Sequence, residues 1–159
     1  MNIKINIDID APVETVWHCI TDIEQIKRWL SDDIIGVDPA DPGPLHAGQK
    51  SRMQIKEGGR IAEYENEIIQ CNELEQLELL MKGQSLGKNP MMMNYHLTPS
   101  NGRTSLQYVA TWKPHGLFLW LMSPLISWLG RRNTAKAFTR LKALAEDPAR
   151  DKSVEIKNN

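Results

Sequence analysis

Apolar and polar residues alternate strictly at the start of the chain. Ile3, Ile5, Ile7 and Ile9 are set against Lys4, Asn6, Asp8 and Asp10. Successive side chains of a strand point to opposite faces, so this spacing predicts a strand with one buried face. Ala11-Pro12 stops it, and Pro12 suits the first turn of a helix. Val13, Val16, Trp17 and Ile20 follow at helical spacing. Asp22 is placed to cap a second short helix, Ile23 to Trp29, with Ile26, Trp29 and Leu30 facing inward. A short strand is expected within Asp32 to Val37. The Pro/Gly-rich run Asp38 to Gly48 reads as an irregular loop, long enough to form a rim or lid.

From Gln49 onward the pattern is again of period two. Ser51, Met53 and Ile55 alternate with Arg52, Gln54 and Lys56, and Gly58-Gly59 reads as a hairpin turn. In Arg60 to Gln70, Ala62, Tyr64, Asn66 and Ile68 share one face, with Glu63, Glu65 and Glu67 on the other. Gln76 to Lys82 is the next strand, and Gly83 to Pro90 a loop. Met91, Met93, Tyr95 and Leu97 share a face of the following strand. Pro99-Ser100-Asn101-Gly102 is a turn signal. Leu106, Tyr108, Ala110 and Trp112 line one side of the last strand, Thr104 to Trp112.

A long helix is expected from about Leu117 to Glu146. In its second half Thr134, Ala137, Phe138, Leu141, Leu144 and Ala145 form an apolar stripe, with Lys136, Arg140, Lys142 and Glu146 opposite. Its first half, Leu117 to Leu129, is apolar nearly all round, and such a helix must be enclosed. Nothing else in the chain is left to cover the sheet. The expected architecture is therefore α+β: a curved antiparallel sheet of about seven strands wrapped round a long C-terminal helix, with two short helices after the first strand and a space between sheet and helix. Pro148 ends the helix. Residues 1–148 read as one domain and 149–159 as a polar, disordered tail.

Composition narrows the function classes. A chain of 159 residues is long enough to bury a real core, and 41% hydrophobic with 25% charged residues is ordinary for a globular protein. A net charge of -1 makes no electrostatic case for nucleic acid. There is no secretory signal, and the longest apolar run is too short to span a bilayer and contains Pro124. Cys19 and Cys71 lack metal-type spacing and read as reduced thiols, which with the missing export signal points to the cytoplasm. Seven methionines suit an irregular or adaptable interior.

The order of elements, together with "IDAPVETVWHCITDIEQIKRW", "GPLHAGQKSRMQI" and "AFTRLKALAE", resembles the START-like or SRPBCC superfamily, the helix-grip fold of the birch pollen allergen. It is most similar to the bacterial branch described as polyketide cyclase/dehydrase and lipid transport. The resemblance covers nearly the whole chain, and its motifs are structural. It implies an apolar or amphipathic ligand held between sheet and helix. The superfamily also includes enzymes and chaperone-ATPase activators, so fold alone does not assign an activity.

The expected ligand wall follows from these registers. Tyr64, Tyr95, Tyr108 and Trp112 point to the concave face, where flat rings and hydroxyls orient a ligand; a filled core is the plainer alternative. Met53, Met81 and Met93 line an adaptable apolar site, or serve as core filler. Ile55, Asn66 and Leu79 share the same face. Trp29 stands at a helix–sheet contact, where core packing is the ordinary role, and Leu121, Leu125 and Trp128 are the helix residues expected to touch a ligand. The loops at Pro42 to His46 and Gly83 to Pro90 would control entry. Met92, facing away, would mark a homodimer contact.

No catalytic residue, metal site or cofactor is assigned. His18, His46, His96 and His115 lack ligand spacing, no GxSxG occurs, and Gly58-Gly59 lacks the later residues of a phosphate loop. The row Glu63, Glu65 and Glu67 reads as a solvated strand face. The leading reading is a binder of a hydrophobic small molecule, lipid- or polyketide-like. A cyclase or dehydratase, with Tyr64, Tyr95 or Asn66 as acid or base, and a protein-interaction module are the alternatives. Leu117 to Leu129 followed by Arg131-Arg132 also suits a membrane surface. Such helices need a polar face, which this run lacks, so the packed helix is preferred.

Overall fold

The computed structural model describes residues 2–30, 33–39, 43–57, 59–113 and 117–147; in the long helix the side chains of 117–121, 123 and 126 lie outside that description. The tail 149–159, Pro148, and Pro114 to Gly116 with His115 lie outside it too. The chain runs β1 (Asn2–Ile9), α1 (Val13–Thr21), α2 (Ile23–Trp29), β2 (Ile34–Pro39), β3 (Lys50–Glu57), β4 (Arg60–Asn72), β5 (Gln76–Gly83), a turn of 3-10 helix (Gln84–Leu86), β6 (Met91–Ser100), β7 (Arg103–Thr111) and α3 (Leu117–Glu146). This is the α+β helix-grip architecture, with α3 packed on the sheet.

The seven strands form one antiparallel sheet in the order β1-β7-β6-β5-β4-β3-β2. Strands 2 to 7 are a meander, which short hairpin turns allow. At Asn101-Gly102 both residues take positive φ (50° and 76°), the backbone that a two-residue hairpin between Ser100 and Arg103 requires. β1 closes the far edge by pairing with β7, Ile3 opposite Ala110 and Ile9 opposite Thr104.

Alternation along the strands delivers one face to the core. Ile3 and Ile9 are buried, with Ile5 and Ile7 half-buried, and the even positions of β1 are exposed. On β4, Tyr64, Asn66 and Ile68 are buried. A bulge then adds one residue between Ile68 and Gln70, so Cys71 rejoins the inner face while Ile69 is exposed. On β7, Thr104, Leu106, Tyr108 and Ala110 are buried in turn. The Thr104 hydroxyl donates to the Ala11 carbonyl at 2.9 Å, which ties the end of the sheet to the start of α1.

The helices close this face from one side. Asp22 ends α1 and caps α2, its carboxylate accepting from the Gln25 N–H at 3.0 Å. Trp29 is almost wholly buried, and its indole N–H donates to the Cys19 carbonyl at 2.8 Å, locking α2 onto α1. Ala137, Phe138, Leu141 and Ala145 of α3 are buried against these helices and the sheet. Lys142 donates to the Asp8 carbonyl, and Glu146 accepts from the Asp10 N–H at 2.7 Å, fastening the end of α3 to β1.

Two expectations are corrected. The loop expected from Asp38 begins later, since β2 continues through Pro39. Lys142 and Glu146 lie off the buried stripe, as expected, and there they clamp the end of β1. Within the first half of α3, expected to be enclosed, Leu125, Trp128 and Leu129 are exposed, since the buried residues of α3 among those described lie on its later turns.

Candidate functional site

The inner face of the sheet does not meet the helices everywhere. A cavity of about 1230 Å³ remains between them. Nine residues expected at a ligand border it. Met53 and Ile55 of β3, Asn66 of β4, Leu79 and Met81 of β5, Met93 and Tyr95 of β6 and Tyr108 of β7 supply the sheet wall, and Trp29 of α2 stands across from them. The ladder brings these together. Asn66 lies opposite Met81, Leu79 opposite Met93, and Tyr95 opposite Tyr108.

An aromatic group forms one wall. Phe138 lies 4.8 Å from Tyr108 and 5.6 Å from Trp29 between ring centroids, and Tyr95 lies 4.9 Å from Tyr108. Burial pushes both phenols upward, Tyr95 well above the ordinary tyrosine value, with Tyr108 beside it adding to the effect. Both are therefore neutral hydroxyls near neutral pH, able to donate and accept hydrogen bonds but not to act as anionic bases. Asn66 is only 9% exposed, and its Oδ1 has no hydrogen-bond partner among the described residues. An orphan acceptor of this kind costs about 1–3 kcal/mol, and it is a natural partner for a donor arriving with a guest.

The mouth is polar and of mixed sign. Lys136 and Arg140 of α3 border it, with His18, Asp22 and Glu24 from the helices and Asp33 and Glu73 from the loops. Lys136 and Arg140 were expected on the face opposite the apolar stripe; they reach the rim because Ala137 and Phe138 beside them form the cavity's edge. Gly43, Pro44 and Leu45 also border the opening, where the Pro/Gly-rich run was expected to form a rim. Cys71 lines the cavity as a thiol pushed upward by burial and then by Glu73, which keeps it protonated. Among the described residues no group of His, Cys, Asp or Glu is placed to hold a metal ion.

Four expected residues are not part of this wall. Tyr64 and Trp112 face inward as their registers require, but they pack with Leu86 and Met53 in a second, filled cluster. The Trp112 indole N–H reaches both the Leu86 carbonyl (3.0 Å) and the Asn89 carbonyl (3.2 Å). The Gly83 to Pro90 loop is thus pinned over Trp112, and it does not border the cavity. Leu125 and Trp128 are 55% and 59% exposed, on turns of α3 that precede the cavity. The side chain of Leu121 lies outside the described residues.

Sequence reasoning left out Trp17, Ile20 and Ile26 on the short helices and Ile68, Leu77 and Phe138, all of which border the cavity. Their apolar periodicity was visible, but periodicity alone reads them as core.

The family model described as polyketide cyclase / dehydrase and lipid transport matches residues 2–146. The chain belongs to this family. Its fold is shared with solved structures of low sequence identity. The protein TTHA0849 of Thermus thermophilus is 17% identical with a TM-score of 0.71, over 91% of this chain and 97% of that one. The Zhui aromatase/cyclase of a Streptomyces species is 14% identical with a TM-score of 0.71, over 92% and 93%. Ara h 8.0201 is 11% identical with a TM-score of 0.71, over 91% and 97%. At these identities the likeness is one of fold. A search of curated proteins finds no match.

Proposed function

We propose that this member of the family binds an amphipathic small molecule, lipid- or polyketide-like, in the cavity between sheet and α3. One observation carries the reading: a largely apolar cavity of about 1230 Å³ is bordered by Asn66, whose buried carbonyl oxygen has no partner among the described residues. Drug-sized ligands occupy roughly 300–1,000 Å³, so this space suits a guest of lipid size or several fused rings. Burial of its apolar surface against Met53, Leu79, Met81 and Met93 supplies affinity at about 25 cal/mol per Å². Asn66, with the neutral hydroxyls of Tyr95 and Tyr108, selects a guest carrying a hydroxyl or phenol at its inner end. The family's description and the aromatase/cyclase of the same fold support this class of guest.

The test is thermal unfolding with a fatty alcohol, a fatty acid and a polycyclic phenol, on the parent chain and on Asn66→Leu. The guest-free variant is expected to be more stable than the parent by about 1–2 kcal/mol, because the orphan is gone. A hydroxyl-bearing guest should raise the parent's melting temperature and bind the variant about tenfold more weakly. No shift with any of the three, with Asn66→Leu neutral or destabilising, would remove the basis of the reading.

A further inference from the structure

The first half of α3 presents a surface that the cavity does not use. Leu125, Trp128 and Leu129 are exposed. With Arg132 they fall at i, i+3, i+4 and i+7, one face of the helix. The Arg132 guanidinium carbon sits 5.8 Å from the centre of the Trp128 ring, and Arg131 beside it is exposed. The charge beside this patch is basic: Arg131 and Arg132 adjoin it, and the sequence from Lys113 to Lys136 has no acidic residue. Arg103 and Lys142 lie at the other end of the helix, paired with Asp10 and Glu146.

We propose that this face of α3 docks on an anionic lipid bilayer. Leu125, Trp128 and Leu129 enter the boundary between headgroups and acyl chains, and Arg131 and Arg132 meet lipid phosphates. Trp is suited to that depth, with an apolar body and one polar N–H. No helix among the described residues is long and apolar enough to cross a membrane, so the helix lies on the surface. The polar side that such a helix needs is supplied by the two arginines and by the domain behind them; the Arg131 guanidinium donates to the Asn2 carbonyl at 3.3 Å, which holds the helix to β1.

Charge selects the bilayer over a second copy. A two-fold contact would join two patches that each carry Arg131 and Arg132 and offer them no carboxylate, whereas an anionic surface is complementary. Docking also has a geometric consequence. Lys136 and Arg140 at the cavity mouth follow Trp128 by two to three turns, about 12–18 Å along the helix. A docked helix therefore sets the cavity mouth beside the lipid surface.

The experiment is vesicle flotation of the full chain, with phosphatidylcholine alone and with added phosphatidylglycerol, at low and high salt. The chain is expected to float with the anionic vesicles only, and to be released by salt. Arg131→Gln with Arg132→Gln should weaken binding on the order of 30-fold. Leu125→Ser with Trp128→Ser should abolish flotation while leaving the melting temperature within a few degrees, since both side chains are exposed. Flotation that is absent, or equal on neutral vesicles, overturns the proposal whatever the variants do. So does size exclusion showing a dimer that Trp128→Ser dissociates, because a second copy would then cover the patch. Guest binding is read separately by melting, so either proposal can fail alone.

Discussion

The two ends of the sheet's inner face use the same kinds of residue to opposite effect. At one end Tyr64, Trp112 and Leu86 pack together, with Met53 shared between them and the cavity, and the polar tips of Tyr64 and Trp112 are engaged. The Tyr64 hydroxyl donates to Glu57, which also accepts from Ser85 at 2.7 Å, and Trp112 donates to two carbonyls of the loop. Packing there is so close that a Cβ on Gly83 would collide with the Tyr64 ring. At the other end Tyr95, Tyr108 and Asn66 border the cavity, and the Asn66 oxygen has no partner among the described residues. A tyrosine facing the concave side is therefore not by itself a ligand residue. What separates the two roles is whether the protein already satisfies the polar tip and fills the neighbouring volume.

The harshest way to break this contrast is Trp112→Ala. It should open a second cavity and destabilise the protein by about 3–5 kcal/mol, measured by denaturant unfolding. A loss under about 1 kcal/mol would show that the end is not tightly filled.

High pH sharpens the contrast without mutation. The chain has three tyrosines, and all three are shifted upward: Tyr95 and Tyr108 strongly by burial, Tyr64 by burial and then by its bond to Glu57. The unfolded chain ionises its phenols near the ordinary value of about 10. The neutral phenols thus favour the folded state fully below that pH, and the contribution is lost as pH rises beyond it towards the folded-state values. Phenolate absorbance is expected to lag behind that of the unfolded chain and then to rise with unfolding. A phenolate signal near the ordinary value from folded protein would contradict the burial of the aromatic group.

The mildest comparison pairs two conservative changes. Tyr64→Phe removes a satisfied bond and should cost about 1 kcal/mol. Tyr95→Phe removes a hydroxyl with no protein partner among the described residues. It should change the guest-free stability by less than about 0.5 kcal/mol, while weakening a hydroxyl-bearing guest. Equal costs in chemical denaturation would erase the distinction between the two ends.

Much of the cavity wall was legible because its residues sit on strands. Asn66, Leu79, Met93, Tyr95 and Tyr108 each lie on a period-two face that the sequence displays. Cys71 was harder, since the bulge at Ile69 changes which later positions face inward. Lys136 and Arg140 are exposed, as the stripe implies, but their place at the rim was not legible, because a helical stripe records polarity, not the distance to the next element. Leu125 and Trp128 were misplaced for a related reason. An apolar run calls for a partner, but it does not say whether that partner belongs to the same chain.

The sequence by itself determined which residues form strands and helices and which way most side chains point, because both follow from local backbone geometry and short-range periodicity. Tertiary structure alone decided where the interior is empty. Tyr95 borders the large cavity and Tyr64 does not because of residues far off in the chain: Leu86 and Trp112 pack on Tyr64, while Trp29 of α2 and Phe138 of α3 cover only part of the wall at Tyr95 and Tyr108. Space between elements depends on how all of them pack together, and no single segment encodes it.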